Sequence, residues 1–144
     1  MKKAFFFDID GTILPNGHKT PLPSTIYAVS ELVKSGHTVF IATGKNLHDA
    51  KVIGNILGVD NFMSTNGQTI YFNGEFVDTQ FMLRDDLVYW KDLAQKYNCA
   101  IGMQSDYDRY VLESDKLDLI KKFFDIVNLE YPVVETNLRA EDNI

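Results

Sequence analysis

Short apolar runs alternate with apolar residues at helical spacing along the first half of the chain. The run Ala4–Phe7 is continuous rather than alternating with polar residues, which predicts a strand covered on both faces, as in the parallel sheets of α/β proteins. A helix is predicted from Pro23 to just before Gly36, because its apolar side chains recur every three or four positions. The next run, "HTVFIATG", predicts a second buried strand that ends at Thr43.

The same alternation continues as far as residue 67. Asn46 is suited to cap a helix whose apolar face runs from Leu47 to Leu57, and Gly58 follows as a stop signal. The segment "NFMSTNG" predicts a third, short strand and a loop. Strand, helix, strand, helix and strand in this order predict a parallel sheet with right-handed crossovers, whose ligands bind beyond the carboxyl ends of the strands.

The pattern changes beyond residue 67. "QTIYFNGEFVDT" holds Asn73-Gly74 between two β-prone runs, which is a strong hairpin signal. Further elements are predicted as helices over about 85–97 and about 116–127 and strands near 100–104 and 109–112. Residues 1–80 are therefore predicted to form an α/β unit, and residues 81–144 an α+β lobe.

Two side-chain environments in the second lobe are predicted from residue type. Tyr89, Trp90 and Tyr97 are interpreted as the buried side of a helix, as aromatic residues at helical spacing usually are. Cys99 is the one cysteine of the chain and is interpreted as a small core residue rather than a reactive thiol. A single cysteine excludes an intramolecular disulfide framework.

Composition and charge narrow the class of protein. The 144 residues are 45% apolar and 24% charged, which is typical of a soluble globular chain. A formal net charge of −6 argues against general attraction to nucleic acid or anionic lipid, because the long-range field repels polyanions. The N-terminal apolar run is too short for a signal-peptide core or a membrane span, so we expect a cytoplasmic protein.

Asp8 and Asp10 follow the first predicted strand directly and flank Ile9. Aspartates also occur in ordinary turns after strands. However, side chains two apart in extended backbone point to the same side and can converge on one ligand. Close carboxylates repel each other, so the pair favours a shared proton or a hard divalent cation.

Two common motifs are excluded by the surrounding residues. A calcium loop of the EF-hand type needs an acidic or amide residue and then glycine, where Thr12 and Ile13 stand. A nucleotide P-loop that includes Lys45 needs glycine in place of Val39 and a hydroxyl residue in place of Asn46. What remains is a phosphoryl site, in which one carboxylate attacks phosphorus in line and the other transfers protons.

Two motifs of the chain resemble those of a known superfamily. Asp8-Ile9-Asp10-Gly11-Thr12 after an apolar strand resembles the first motif of the haloacid dehalogenase (HAD) superfamily, and "FIATGK" resembles its second. These motifs, followed by "STNGQTIYFNGE", are similar to the Cof-type, sugar-phosphatase-like branch with a C2-type cap. The resemblance implies a HAD-like Rossmannoid parallel sheet with an α+β cap. Residues 1–80 would then be the N-terminal part of the core and residues 81–144 part of the cap.

The resemblance also implies roles for particular residues. Asp8 is the nucleophile and Asp10 the general acid and base, and the Asp8 carboxylate and the Asp10 carbonyl hold Mg²⁺. Thr43 donates its hydroxyl group to a phosphoryl oxygen. For Lys45, a solvated lysine at the start of a helix is an equally good interpretation. The implied phosphate-binding set is Gly11, Thr12, Thr43, Gly44 and Lys45.

Later motifs of the superfamily are not found in the chain. A further lysine and an acidic metal-binding motif are expected, whereas the remaining candidates are interpreted as solvated charges: Lys116, Lys121, Lys122 and Glu141-Asp142. By analogy, the first strand lacks neighbours on its other side, and such an apolar edge favours pairing with another chain. The chain is therefore a fragment of a longer phosphatase, is completed by a partner or second copy, or is a short inactive relative.

The leading functional hypothesis is Mg²⁺-dependent hydrolysis of a phosphomonoester through an aspartyl-phosphate. The expected substrate is a small phosphorylated metabolite such as a sugar phosphate. One alternative is a phosphotransferase such as a phosphosugar mutase, and another is a truncated or inactive relative that serves as a non-catalytic binding module. A homodimer that covers the exposed strand edge is the expected assembly, with no nucleic-acid or membrane partner.

Overall fold

The computed structural model describes residues 1–104, 110–112, 116–126 and 134–135. The chain divides into two units, Met1–Gln80 and Phe81–Ile144. None of the described helices is long and apolar enough to cross a membrane. All of the candidate catalytic and phosphate-binding residues, from Asp8 to Lys45, lie in the first unit.

A five-stranded sheet forms the frame of the first unit. Its strands lie side by side in chain order: β1 (Ala4–Phe7), β2 (Thr38–Ala42), β3 (Phe62–Ser64), β4 (Thr69–Phe72) and β5 (Glu75–Thr79). β1, β2 and β3 run parallel, whereas β4 and β5 are each antiparallel to the strand before them. The predicted α/β class with a parallel sheet is confirmed, with an antiparallel hairpin added at one side.

Two helices connect the parallel strands. α1 (Pro23–Lys34) begins with proline, whose missing N–H costs no helical hydrogen bond there, and Gly36 follows with φ +78°. α2 (Leu47–Leu57) is capped by Asn46, whose Oδ1 accepts a hydrogen bond from the backbone N–H of Asp49 at 2.8 Å. Both helix starts predicted from the sequence are confirmed.

The hydrophobic core of this unit lies on one face of the sheet. Both helices and alternate residues of the strands contribute to it: Val29, Val39, Ile41, Ala50, Ile53 and Phe62 are members. Ile9, which is 0% exposed, joins the same cluster from the loop after β1. This packing anchors the loop that carries Asp8 and Asp10 to the core.

The opposite face of the sheet carries a row of stacked aromatic rings. Phe6 stacks on Phe40 with ring centroids 4.8 Å apart, and Phe40 stacks on Phe72 at 5.8 Å; we call these three residues the aromatic stripe. Phe6 is 56% exposed, so the prediction that the first strand is covered on both faces is wrong for the described part of the chain. The reason is that α1 and α2 both pack on the other face. Among the described strands, β1 is also an edge of this sheet, as the family resemblance implied.

The turn between β4 and β5 is the predicted hairpin at Asn73-Gly74. Asn73 has φ +51° and Gly74 has φ +77°, which is the backbone that tight two-residue turns require. The backbone N–H of Asn73 donates to Asn61 Oδ1 at 2.7 Å, and Asn61 Nδ2 donates to the Val39 carbonyl at 2.8 Å. Asn61 thereby ties the hairpin to β2.

The second unit combines helices with a three-stranded sheet. Its elements in chain order are α3 (Arg84–Lys96), β6 (Gly102–Gln104), β7 (Tyr110–Leu112), α4 (Leu117–Ile126) and β8 (Val134–Glu135). β6 pairs antiparallel with β7, and β7 pairs parallel with β8. The predicted α+β character is confirmed, although β8 was not foreseen from the sequence. The role of this unit as a cap remains a prediction.

Two predicted environments in the second unit are wrong. Tyr89, Trp90 and Tyr97 are 59%, 49% and 65% exposed, and Cys99 is exposed as well. α3 buries Leu87 instead. Helical spacing places apolar residues on one face of a helix, but it does not reveal which face has a neighbour to pack against.

Candidate active site

The candidate catalytic residues lie beyond the carboxyl ends of parallel strands. β1, β2 and β3 end at Phe7, Ala42 and Ser64, and the ladders between them are parallel. Asp8 follows the first of these ends and Thr43 the second. Because neighbouring parallel strands end at the same edge of a sheet, the two residues lie on adjacent strand ends.

A tight loop carries Asp8 and Asp10. The backbone N–H of Ile13 donates to the Asp8 carbonyl at 3.2 Å, and that of Leu14 donates to the Ile9 carbonyl at 2.8 Å. Ile9 and Ile13 are almost fully buried, whereas both aspartates are exposed. The buried isoleucines therefore hold a fixed backbone from which both carboxylates reach solvent.

Gly11 and Thr12 complete this loop. Gly11 has φ +79°, a conformation that glycine adopts at low cost, and its N–H donates to the Leu14 carbonyl at 2.8 Å. Thr12 lines a cavity of about 270 Å³ beside α1, whose other walls include Thr25 and Leu32. Gly11 thus shapes the loop, while a contact of either residue with phosphate stays a prediction.

Thr43 is fixed on several sides at the end of β2. It is 6% exposed. Its backbone N–H donates to the Met63 carbonyl at 2.9 Å, and its carbonyl accepts from the N–H of Asn66 at 3.0 Å. Its Oγ1 accepts a hydrogen bond from the backbone N–H of Lys45 at 3.2 Å. A hydroxyl group that accepts in this way still has its own hydrogen to donate.

Lys45 forms an ion pair with Asp10. The distance from Lys45 Nζ to Asp10 Oδ2 is 3.3 Å, and the two side chains are 17% and 64% exposed. The interpretation of Lys45 as a solvated lysine is therefore wrong. Because the Asp10 carboxylate is largely in water, screening keeps the energy of this pair small. The ion pair matters because it places the Lys45 ammonium group beside the Asp10 carboxylate.

A left-handed turn after β3 supports the loop after β2. Thr65, Asn66 and Gly67 have φ of +51°, +57° and +89°, and the backbone N–H of Thr65 donates to the Lys45 carbonyl at 2.8 Å. The turn predicted at Asn66-Gly67 is confirmed. The sequence did not predict a left-handed Thr65, because β-branched residues disfavour that conformation. Such backbone persists when its surroundings hold it in place.

Comparison with known proteins agrees with the motifs at this edge of the sheet. Residues 5–143 match the family model described as haloacid dehalogenase-like hydrolase. The chain belongs to the haloacid dehalogenase-like hydrolases. The superfamily that the sequence motifs resemble is therefore confirmed.

Relatives of this haloacid dehalogenase-like hydrolase include named phosphatases. YkrA of Bacillus subtilis (strain 168), whose name gives phosphatase as a provisional activity, is 43% identical over 75 residues, which are 52% of this chain and 29% of YkrA. A hypothetical protein of Geobacillus kaustophilus HTA426 is 28% identical with a TM-score of 0.86, and the match covers 100% of this chain and 56% of that one. The HAD subclass IIB sugar phosphatase BT4131 is 19% identical with a TM-score of 0.73, over 94% of this chain and 53% of that one.

The matched part of each of these relatives is about half of its length or less. These findings support the Cof-type branch to which the motifs were assigned.

The aspartate loop offers oxygen atoms of the kind that magnesium ions prefer. Mg²⁺ is usually bound through one or two carboxylates and keeps several waters. Asp8 and Asp10 supply such oxygens on an exposed loop. Within the described residues, no group of three or more His, Cys, Asp or Glu is placed to hold a metal ion. The aspartates therefore fit a magnesium site that water and substrate oxygens complete.

The charged residues of the second unit that were interpreted as solvated have different surroundings. Lys121 and Lys122 are exposed. Lys116 donates to the backbone carbonyl and the side chain of Asn98. Glu141-Asp142 lies outside the described residues. Lys45, in the first unit, is a lysine that the structure places against the aspartate loop.

Proposed function

We propose that the protein hydrolyses phosphomonoesters through a phosphorylated Asp8, with Asp10 as general acid and base. The observation that carries this proposal is the arrangement at the sheet edge. Two exposed carboxylates lie on a loop anchored by buried Ile9, the adjacent strand end presents the Thr43 hydroxyl, and the Lys45 ammonium group contacts one carboxylate. Membership of the hydrolase family and the phosphatase names of relatives support it.

The proposed reaction has two steps. In the first, a carboxylate oxygen of Asp8 attacks phosphorus, and the bond from phosphorus to the ester oxygen breaks. Protonated Asp10 gives its proton to the departing oxygen. In the second, water attacks the phosphorus of the acyl phosphate while the Asp10 carboxylate accepts a proton from that water. Inorganic phosphate leaves, and Asp8 returns to the carboxylate form.

The developing charge on the phosphoryl oxygens needs positive partners and hydrogen-bond donors. The Thr43 hydroxyl is suited to donate to one of these oxygens, because its position is fixed by the bond from Lys45 N–H. The Asp8 carboxylate and the Asp10 carbonyl oxygen would hold Mg²⁺, which supplies positive charge to the phosphoryl group.

The proposed substrate is a small phosphorylated metabolite such as a sugar phosphate. The motifs of the Cof-type branch and the fold shared with the sugar phosphatase BT4131 support this class. The net charge of −6 disfavours large polyanions as substrates. A cytoplasmic location fits such a substrate, and the lone cysteine is in keeping with a reducing compartment.

The test is phosphate release from p-nitrophenyl phosphate by the purified 144-residue chain, with Mg²⁺ or with EDTA. We expect Mg²⁺-dependent release that Asp8→Asn abolishes and that Asp10→Asn lowers about a hundredfold or more, because amides neither attack phosphorus nor exchange the proton. Asp60→Asn, at an exposed aspartate before β3, is the matched control and is expected to keep full activity.

Two results would contradict the proposal. Release no higher than that of Asp8→Asn would mean that the chain is non-catalytic. Transfer of the phosphoryl group to an added sugar, without release of inorganic phosphate, would favour a phosphotransferase.

A further inference from the structure

Lys45 is less exposed than lysine side chains usually are, and it contacts a carboxylate. Its side chain is only 17% exposed and its Nζ lies 3.3 Å from Asp10 Oδ2. Holding the lysine side chain in one geometry costs conformational entropy. An ion pair with a carboxylate that is mostly in water contributes little stabilising energy to offset that cost. An arrangement that contributes so little to stability points to a role in the site itself.

The backbone of Lys45 is fixed by three neighbouring elements. Its N–H donates to Thr43 Oγ1 at 3.2 Å, at the end of β2. Its carbonyl accepts from the N–H of Thr65 at 2.8 Å, in the turn after β3. The next residue, Asn46, caps α2. The long side chain therefore starts from a set position, which is what a lysine needs in order to meet one particular carboxylate.

We propose that Lys45 is a positioning residue that gives the two aspartates of the loop different tasks. When the Asp10 carboxyl group is ionised, the ammonium group of Lys45 offsets its charge with a cation of the protein itself. A divalent cation is then directed to the carboxylate of Asp8, and Asp10 stays available for proton transfer. The inference rests on the proposed function for the tasks of Asp8 and Asp10, but the effect of Lys45 on metal binding is measurable without turnover.

The first test is calorimetric titration of Mg²⁺ into the full chain and three variants. Lys45→Met removes the charge beside Asp10, and Lys45→Arg keeps it. Lys51→Met removes an equal charge from α2, where Lys51 lies 4.7 Å from the centre of the Tyr71 ring. We expect Lys45→Met to bind Mg²⁺ about five-fold more tightly than the wild type, because a repelling unit charge near the carboxylates is gone.

The matched variants decide the interpretation of this titration. Lys45→Arg and Lys51→Met are both expected to stay within about two-fold of the wild-type affinity, because each keeps a cation beside Asp10. Equal affinity of Lys45→Met and the wild type overturns the inference, and so does the lack of measurable binding by both.

The second test separates kcat from KM in the p-nitrophenyl phosphate assay. A positioning role for Lys45 predicts that Lys45→Met lowers kcat about tenfold or more while KM changes by less than about two-fold, and that Lys45→Arg restores most of kcat. A raised KM with unchanged kcat would instead mean that Lys45 binds the substrate's phosphoryl group, and it would overturn the inference. If the wild-type chain releases no phosphate, the proposed function fails, whereas the Mg²⁺ titration still decides the role of Lys45.

Discussion

Gly44 lies directly against Asn66: a Cβ atom on Gly44 would stand 2.9 Å from Asn66 Oδ1. The contact joins the loop after β2 to the turn after β3. It is possible because residue 44 has no side chain. The two loops that hold Thr43 and Lys45 in place are thus matched to each other in shape.

Gly44→Ala is expected to disturb this match and lower both kcat/KM and the free energy of unfolding. A Cβ atom closer than 3.0 Å to Asn66 Oδ1 must displace that side-chain tip, and because Asn66 is exposed, we expect a loss of less than about 1 kcal/mol, below the range for overpacking in a core. Asn66→Gly removes the obstructing side chain and suits the φ of +57° at that position. The double variant is therefore expected to recover most of both losses, as measured by urea unfolding and steady-state kinetics.

A double-mutant cycle is the control for this prediction. If the double variant is no better than Gly44→Ala alone, the contact between Gly44 and Asn66 is not the cause of the loss.

Gly54→Ala is expected to destabilise the first unit, although alanine in a helix is normally favoured over glycine by about 1 kcal/mol. A Cβ atom on Gly54 would lie 2.5 Å from Phe62 Cζ and 2.7 Å from the Val59 carbonyl oxygen. Overpacking against these atoms outweighs the helix preference, so we expect a net loss of about 1–2 kcal/mol in the free energy of unfolding. Asn55→Ala, at the exposed neighbour in α2, is the control and should be neutral or slightly stabilising.

Asn46→Ala is expected to lower the free energy of unfolding by about 1 kcal/mol, because the first turn of α2 loses its side-chain acceptor. Asn46→Asp keeps an acceptor for the Asp49 N–H and should restore stability in thermal and urea unfolding. Equal losses for both variants would show that the buried position of Asn46, rather than its hydrogen bond, stabilises the helix start.

Phe6→Lys is expected to reduce self-association and the binding of an apolar dye while leaving the fold intact. Phe6 is 56% exposed on β1, the edge strand of the sheet among the described residues, and a lysine on an edge strand opposes pairing with another chain. Tyr27→Lys changes a residue of α1 that is 67% exposed and lies outside the aromatic stripe, so it serves as the control. Light scattering across a concentration series and dye fluorescence provide the measurements.

The homodimer expected from the sequence is tested by the same samples. A wild-type chain that stays monomeric at high concentration would argue against a second copy at the β1 edge. Association that persists unchanged in Phe6→Lys would place the contact elsewhere.

Elements with local causes were predictable from the sequence. Proline at the start of α1, the amide cap of α2 at Asn46 and the Asn73-Gly74 turn each act within a few residues, and the structure has all three as expected. The meeting of Asp8 and Thr43 at one sheet edge followed from the alternation of strands and helices, which is also a pattern along the chain.

Features that depend on distant neighbours were not predictable in this way. Phe6 and Trp90 are exposed because no described element packs over them, and apolar spacing contains no information about such neighbours. The ion pair of Lys45 with Asp10 joins two loops on different strands. The Lys45 carbonyl also accepts a hydrogen bond from the N–H of Thr65, whose left-handed backbone runs against the preference of that residue type.

The five strands of the first sheet lie in space in the same order as along the chain. Each strand therefore pairs with the one synthesised just before it, and the sheet can grow outward from β1 one strand at a time. Pairing between sequence neighbours keeps each loop to be closed as short as the crossover between parallel strands allows. Asp8 and Thr43 both belong to the first unit, so the strand ends that carry them can meet before the second unit has been made.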